Sequence, residues 1–246
     1  MATPRHLART PIREALVDIR VVPDSPVSAQ RFAVLREQLA DGYVKVDERR
    51  NIRANLSVRE GKIVPPIPEY SFGGLWLKTE QDDRIAQFRP DGFTLNQVRT
   101  YEGGDAIINE ALRLWEIYRN LAGSLVVTRV AMRYINDLKL PIGPDDDFQR
   151  FLTEPARLPV QAPQLFSSFL TRVIAHEEPD VVIVTQQMEV TEHGVPPSIT
   201  IDVEVACHDG LSGDVEVIRA HLNRLRGLKN KVFFSLVTDE TVSLYV

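Results

Sequence analysis

The sequence has 246 residues, of which 43% are hydrophobic and 26% are charged, as in an ordinary globular protein. This length allows one large domain or two small domains that share a core. The formal net charge of −5 argues against a general nucleic-acid coat, and no apolar run approaches the roughly 20 residues of a membrane-spanning helix. Cys207 is the sole cysteine, so an intrachain disulfide is excluded and a reducing, cytoplasmic location is expected.

In the first part of the chain, apolar spacing predicts a strand, a helix and then several short strands. Residues 14–22 alternate apolar and polar side chains, which is typical of a half-buried strand with Asp18 and Arg20 on its polar face. Ser28 is a preferred helix N-cap, and the following pattern predicts a helix over residues 29–40. Shorter strands are predicted near residues 52–59, 73–80, 84–90 and 93–99.

The clearest helical pattern begins at Asp105 and ends at Gly123, with apolar residues recurring every three or four positions. Residues 125–140 then alternate as a long strand, with Arg129 and Arg133 on the same face. The sequence further predicts a short helix near residues 147–152, strands at 166–176, 180–191 and 198–208 with a turn at 195–197, and a long helix from Asp214 to about residue 236.

Both halves of the chain repeat one order of elements, namely a strand, a helix, three or four antiparallel strands and a long amphipathic helix. We therefore predict an α+β protein with an extended antiparallel sheet and long amphipathic helices on one face. Two tandem helix-grip (TBP-like) units are one arrangement that produces this pattern. The units would be residues 1–123 and 124–246, sharing one core, and the exposed sheet face would form a saddle or groove.

Several separated segments carry a resemblance to a known bacterial family. They are PIREALVDIRV near the start, GLWLKTE, QFRPDGFTLNQV and RYINDLKLP in the middle, and LRGLKNKVFFSLVTDE near the end. The chain resembles a sporadically distributed, uncharacterised family of about this length that carries PI-x-EA, RYIN and KN-x-x-F motifs. The resemblance implies an accessory gene of the toxin–antitoxin or phage-defence type, and it implies that the KN-x-x-F segment is helical.

The sequence contains no recognised catalytic or cofactor motif. It has no Walker A loop, no G-x-G-x-x-G, no G-x-S-x-G, no H-E-x-x-H and no paired C-x-x-C. Cys207 adjoins His208 on a predicted strand, where neighbours point to opposite faces, so a buried thiol is favoured over a nucleophile. A metal site at His193, His208 and Asp202 is less favoured than solvent-facing histidines. The aspartate run at residues 145–147 could hold a cation, but capping of the next helix is favoured.

Polar residues within the predicted strands and the last helix are the candidate binding residues. Arg133 and Asn136 are three positions apart in one strand and therefore point to opposite faces. Glu14 opens the first strand and could pair with Arg133. These residues could line a pocket, or they could form a polar network that fixes strand register, and the structural interpretation is favoured. The full set is Glu14, Arg89, Arg133, Asn136, Lys229 and Asn230.

The repeated pattern and the empty motif search favour a non-catalytic binding or regulatory module, which holds a protein partner or a small ligand on the sheet groove. One alternative is an enzyme with a non-standard polar site, which requires Glu14, Arg133 and Lys229 to converge in one cleft. A weaker alternative is nucleic-acid binding through the basic last helix, whose charges are explained as well by the helix dipole. No membrane partner is expected, and a homo-oligomer would cover the sheet edges.

Overall fold

The computed structural model describes residues 2–3, 5–54, 57–59, 62–64, 68–142, 148–163, 167–188 and 198–246. The aspartate run at 145–147, His193 and the predicted turn at 195–197 lie outside these described residues.

Within the described residues, nine strands form one antiparallel sheet and two short strands pair separately. The strands are β1 (Ile12–Pro23), β2 (Lys45–Arg53), β3 (Ser57–Arg59), β4 (Lys62–Val64), β5 (Glu69–Lys78), β6 (Arg84–Arg89), β7 (Gly92–Val98), β8 (Leu125–Lys139), β9 (Phe169–Glu177), β10 (Asp180–Met188) and β11 (Ser198–Cys207). Their order across the large sheet is β2-β5-β6-β7-β1-β8-β11-β10-β9, while β3 pairs with β4.

Two long helices pack on one face of this sheet, which confirms the predicted α+β class and its antiparallel sheet. The helices are α1 (Ala29–Ala33), α2 (Leu35–Gln38), α3 (Gly104–Ala122), α4 (Val215–Leu236) and α5 (Asp239–Ser243), with a 3₁₀ turn at Phe148–Arg150. Helix α3 contacts β1 and β7, whereas α4 contacts β8 and β11. None of the helices in the described ranges is long and apolar enough to cross a membrane.

Strands β1 and β8 pair at the centre of the sheet, and their alternating side chains show which residues lie on each of its two faces. Val17 is paired with Met132, and both side chains are fully buried beneath the helices. Leu16 is paired with Arg133, one position along each strand, so these side chains point to the opposite face. We call this second face the open face, because the helices that pack on the sheet in the described ranges lie on the other side.

Two predicted elements of the first part of the chain were wrong in extent. The expected single helix at 29–40 is two short helices interrupted at Val34, a β-branched residue of low helix propensity, and Ser28 forms no side-chain cap. The single strand expected at 52–59 is instead divided between the end of β2 (Lys45–Arg53) and the short β3 (Ser57–Arg59). Nearly every residue of β2 is exposed, so its sequence lacks the apolar alternation that reveals a half-buried strand.

Candidate binding site on the open face of the sheet

A shallow, polar cavity of about 480 Å³ lies over the centre of the open face. Its lining comes from five neighbouring strands, which place alternate polar residues on the same side of the sheet. The lining residues are Leu16, Asp18, Arg20, Gln87, Arg89, Thr94, Asn96, Arg129, Arg133 and Glu204. Because four arginines and two carboxylates are among them, the lining itself has an excess of positive charge on a chain whose net charge is negative.

Asp18 is the centre of this cavity lining and is only 6% exposed. Its Oδ1 atom accepts hydrogen bonds from the Thr94 hydroxyl at 2.5 Å and from Nη2 of Arg89 at 3.0 Å. Its Oδ2 atom accepts from Nη1 of Arg129 at 2.6 Å and from Nε of Arg20 at 3.1 Å. We call these five residues the Asp18 network. One carboxylate thereby fixes three guanidinium groups from three different strands.

The ionisation of Asp18 follows from these contacts. Burial opposes the charged carboxylate, but the Thr94 hydrogen bond and the charges of Arg20, Arg89 and Arg129 outweigh burial and lower the pKa of Asp18 below its ordinary 3.8. Asp18 is therefore ionised at neutral pH. A buried carboxylate with several charged donors is a strong organising centre, because each charge-assisted hydrogen bond is stronger than a neutral one.

The remaining polar residues extend the Asp18 network across the open face. Arg129 also donates to Glu204, and Arg133 donates through Nε and Nη2 to both carboxylate oxygens of Asp202. Asn96 donates to Glu14 and accepts from Gln87. Glu14 and Arg133 therefore take their hydrogen-bond partners from β7 and β11 rather than from each other, although the charge of Glu14 is one of the causes that raise the pKa of Arg133.

The turn between β6 and β7 positions two of the arginines. Asp91 accepts from Nη1 of Arg20 at 3.0 Å and from Nε of Arg89 at 3.3 Å. Gly92 follows with φ of +150°, and a Cβ atom there would overlap the carbonyl oxygen of Ile19 in β1. Glycine is therefore required where this turn closes against the central strand.

Asn136 lies on the helix-covered side, opposite to Arg133, as its spacing predicts. It is 4% exposed, and its Nδ2 atom donates to the carbonyl oxygens of Ile201 at 3.0 Å and of Tyr134 at 3.3 Å. The register between β1 and β8 shifts at this point, between Ile12 and Glu14. The Asn136 amide therefore satisfies backbone acceptors beside a sheet irregularity, which is a structural role.

Lys229 also lies on the helix-covered side, within the buried stripe of α4. It is 7% exposed, and its Nζ atom lies 3.6 Å from the centroid of the Tyr134 ring. Burial, followed by the charge of Arg226, lowers the pKa of Lys229 to about 7. Helical spacing in the sequence indicates that Lys229 is buried, because it follows the buried Leu225 by four positions and so continues the apolar stripe.

The six predicted site residues therefore separate into three groups. Glu14, Arg89 and Arg133 lie on the open face, Asn136 and Lys229 lie beneath the helices, and Asn230 is exposed on α4. Glu14, Arg133 and Lys229 do not converge in one cleft, since the sheet separates Lys229 from the other two. Sequence reasoning missed Asp18 as the centre of the site, although its alternation placed it on the polar face of β1.

The basic residues of α4 are engaged with groups of the protein itself. Arg219 donates to Asn109, Arg224 pairs with Asp180, Arg226 pairs with Asp105 and Lys231 pairs with Glu177. These four cations are therefore paired within the described protein, and nucleic-acid binding through α4 stays an alternative prediction.

The other candidate residues from the sequence, a possible nucleophile and a possible metal ligand, have structural roles in the described part of the chain. Cys207 is buried, as predicted, and its thiol lies 3.6 Å from Oδ2 of Asp209. Asp202 is occupied by Arg133, and the described residues contain no group of three His, Cys, Asp or Glu side chains that could hold a metal.

The fold and the site together define an α+β protein with a preorganised, arginine-rich open sheet face. No protein-family model matches the sequence, and no curated protein matches it significantly. The resemblance to the sporadic bacterial family therefore stays a prediction.

Proposed function

We propose that this protein is a non-catalytic binding module of a bacterial accessory system, of the toxin–antitoxin or phage-defence type, and that it holds a protein partner on the open face. The Asp18 network carries the proposal, because it fixes arginine head groups on a sheet face that no described helix covers. The accessory-system setting is supported by the sequence resemblance alone.

Arginine side chains held in one geometry suit protein recognition. Arginine is enriched at the energetic centres of protein interfaces, and prior ordering reduces the entropy lost on binding. The side chains of Arg20 and Arg133 keep 41% and 39% of their surface exposed, although carboxylates orient both. The partly buried Leu16, which is paired with Arg133 across β1 and β8, adds an apolar side chain to the same lining.

The partner's surface should carry carboxylates. Guanidinium groups bind carboxylates in a planar, two-point geometry, and the cavity lining holds four arginines against two acids. Asp202 and Asp91 at the rim already accept hydrogen bonds from Arg133 and Arg20. A carboxylate of the partner would therefore bind to arginines that are already paired, rather than to free cations. Such contacts give specificity and fast association more than raw affinity.

The strand order supports a further proposal, that the chain is an internal duplication of two helix-grip (TBP-like) units. From the centre outward, one half runs β1, β7, β6, β5, and the other half runs β8, β11, β10, β9, with β2 as an additional edge strand on the first half. Each half also ends in a long helix on the same side of the sheet. The proposed boundary near residue 123 falls between the end of α3 and the start of β8.

Affinity purification from the native host tests the binding proposal. The double variant Arg20→Gln/Arg133→Gln changes the open face, and the matched control Arg219→Gln/Lys231→Gln removes two cations from the outer side of α4. We expect one stoichiometric partner, identified by mass spectrometry, to be retained by the wild type and the control. With purified partner, the open-face variant should bind at least about tenfold more weakly.

Three results would overturn the proposal. The first is equal binding by the open-face variant when its circular dichroism and unfolding midpoint match the wild type. Another is loss of the partner in the α4 control alone. The third is a co-purifying small molecule without a protein partner, which would instead assign the cavity of about 480 Å³ to a ligand.

A further inference from the structure

A second cavity, of about 300 Å³, lies between helix α3 and strands β6 and β7. This volume is at the lower end of the range for small-molecule sites, roughly 300–1,000 Å³. The residues that line it, which define what we call the α3 cavity, are Arg84, Leu95, Gln97, Glu102, Ala106, Ile107, Asn109, Glu110 and Arg113. Gln97 follows Asn96 of the open face by one position in β7, so their side chains point to opposite sides and the sheet separates the two cavities.

Gln97 is the polar group at the buried side of the α3 cavity. It is only 5% exposed, and its side-chain amide forms no hydrogen bond with any described residue. Arg84 is paired with Gln97 across β6 and β7, but its Nη2 atom donates instead to Glu102 at 2.5 Å. An amide carries two donor hydrogens and an acceptor oxygen, and leaving them unused at a buried position is costly. Because Gln97 lines the α3 cavity, a ligand there can satisfy the amide.

Two ion pairs give the α3 cavity charges of both signs. One is Arg84 with Glu102, and the other is Arg113, whose Nε and Nη2 atoms donate to the two carboxylate oxygens of Glu110, each at 2.8 Å. Burial opposes the charge of Glu110, but hydrogen bonds from Arg113 and Tyr43 and the charges of Arg113 and Arg84 lower its pKa. The lining therefore carries two positive and two negative charges at neutral pH.

The composition of the lining selects the class of ligand. A ligand with a single charge would meet attraction and repulsion in equal measure, whereas a zwitterion offers each sign to its opposite. The side chains of Arg113 and Glu102 are 50% and 45% exposed, so both can accept a second partner. The buried Leu95 and Ile107 supply apolar contact for methylene groups. Gln97 complements a group that donates and accepts hydrogen bonds at once, as another amide does.

We propose that the α3 cavity binds a free α-amino acid whose side chain ends in an amide. Arg113 pairs with the α-carboxylate of the ligand, Glu102 pairs with its α-ammonium group, and Gln97 exchanges two hydrogen bonds with its side-chain amide. The α3 cavity lies on the helix side of the sheet, so this proposal does not depend on the partner proposed for the open face.

The side-chain amide of Gln97 gives a direct readout by NMR. In protein labelled with ¹⁵N, its NH₂ resonances are assigned from their absence in Gln97→Met. Adding unlabelled L-glutamine or L-asparagine should shift these resonances in a saturable manner. The amide of Gln38, exposed at the end of α2, is the internal control and should not move. Unchanged Gln97 resonances with both amino acids at millimolar concentration would overturn the proposal without any variant having to bind.

Calorimetric titrations with the better of the two amino acids test the role of each group. Gln97→Met should weaken binding by about tenfold or more, since it removes two hydrogen bonds but keeps the length of the side chain. Gln38→Met is the matched control and should bind like the wild type. Equal affinity in wild type and Gln97→Met would overturn the proposal.

Ligand analogues test the two charges and the amide of the ligand. L-leucine lacks the amide, and the analogue in which hydrogen replaces the α-amino group lacks the positive charge. Each should bind at least about tenfold more weakly. Equal binding of leucine would contradict the role of Gln97, and equal binding of the deaminated analogue would contradict recognition of a zwitterion. Binding that survives in Arg20→Gln/Arg133→Gln but not in Gln97→Met would assign the amino acid to the α3 cavity, whereas the reverse would assign it to the open face and overturn the proposal.

Discussion

The Nζ atom of Lys229 lies 3.6 Å from the ring centroid of Tyr134, while the neighbouring Arg133 binds Asp202 on the other side of the sheet. Consecutive residues of β8 therefore connect two polar centres that face opposite directions. One centre is open and paired through carboxylates, and the other is buried, with an amine that contacts an aromatic ring instead of a carboxylate. The two centres predict different responses to pH and to substitution.

Replacing Lys229 by Met should stabilise the protein at neutral pH. Methionine keeps the length of the side chain and its contact with Tyr134, but it removes an amine whose charge burial disfavours. Below a folded-state pKa of about 7 both the folded and the unfolded wild type are protonated, so the full penalty applies. Urea unfolding followed by circular dichroism at pH 6 measures the difference between the two proteins.

The same pair of proteins should show a defined pH dependence. Between pH 7 and the ordinary lysine value of 10.5, the unfolded wild type binds a proton that the folded state lacks. Its free energy of unfolding should therefore rise relative to Lys229→Met, by about 1.4 kcal/mol per pH unit in the ideal case. A difference that stays constant between pH 6 and pH 9.5 would show that Lys229 keeps its charge in the folded protein.

Replacing Asp18 by Asn should strongly destabilise the protein. The change leaves Arg20, Arg89 and Arg129 without their central carboxylate, and breaking a buried ion pair costs about 3 kcal/mol or more. The control Asp91→Asn removes a carboxylate that is 64% exposed and should cost below about 1 kcal/mol. Equal losses in the two variants, measured by urea unfolding at pH 7, would contradict a central role for Asp18.

Asp18 should also contribute to acid sensitivity. Its folded-state pKa lies below the ordinary 3.8, so its contribution is present above pH 3.8 and is lost as the pH falls through the folded-state value. The wild type should therefore lose its advantage over Asp18→Asn in that acidic window. The midpoint of thermal unfolding, followed for both proteins from pH 6 downward, should converge. A gap that persists at the lowest pH would indicate that the effect is steric.

Elements with one buried face could be predicted from the sequence, and elements without one could not. The alternation in β1 and β8 and the apolar stripes of α3 and α4 come directly from burial beneath the helices. Strand β2 lies at the sheet edge and is exposed on both faces, so no periodicity marks it. A hydrophobic pattern therefore predicts an element only when one face of that element is buried.

For the candidate site, the sequence predicted on which face of the sheet each side chain lies, but it did not predict which side chains bind each other. Alternation placed Asp18 with Arg20, and Arg129 with Arg133, on one side of their strands. The partner of Arg133 depends on β11 lying next to β8, and the partner of Glu14 depends on β7 lying next to β1. Such neighbours are set by long-range topology, which strand periodicity does not record. Lys229 stands out in the sequence as a polar residue of the KN-x-x-F segment, whereas its burial follows from its position in the apolar stripe of α4.

Two asparagines from the predicted set should differ sharply on substitution. Asn136→Ala removes a buried amide that donates to two backbone carbonyls, and it should cost about 2 kcal/mol of unfolding free energy. Asn230 is exposed within α4, where alanine has a higher helix propensity, so Asn230→Ala should be neutral or slightly stabilising. Urea titration of both variants makes the comparison. Similar losses would mean that Asn230 makes a contact on the surface of α4.

Two glycines test whether the turn beside the Asp18 network needs its backbone geometry. Gly92→Ala should destabilise by at least about 2 kcal/mol, because φ is +150° and a Cβ atom would overlap the carbonyl oxygen of Ile19. Gly227→Ala should instead stabilise by about 0.5–1 kcal/mol, since Gly227 lies within α4 with no atom within 4 Å of a new Cβ. If Gly92→Ala keeps wild-type stability, the turn can relax without displacing β1. Arg20 and Arg89 would then hold Asp91 in place by their ion pairs rather than by the backbone.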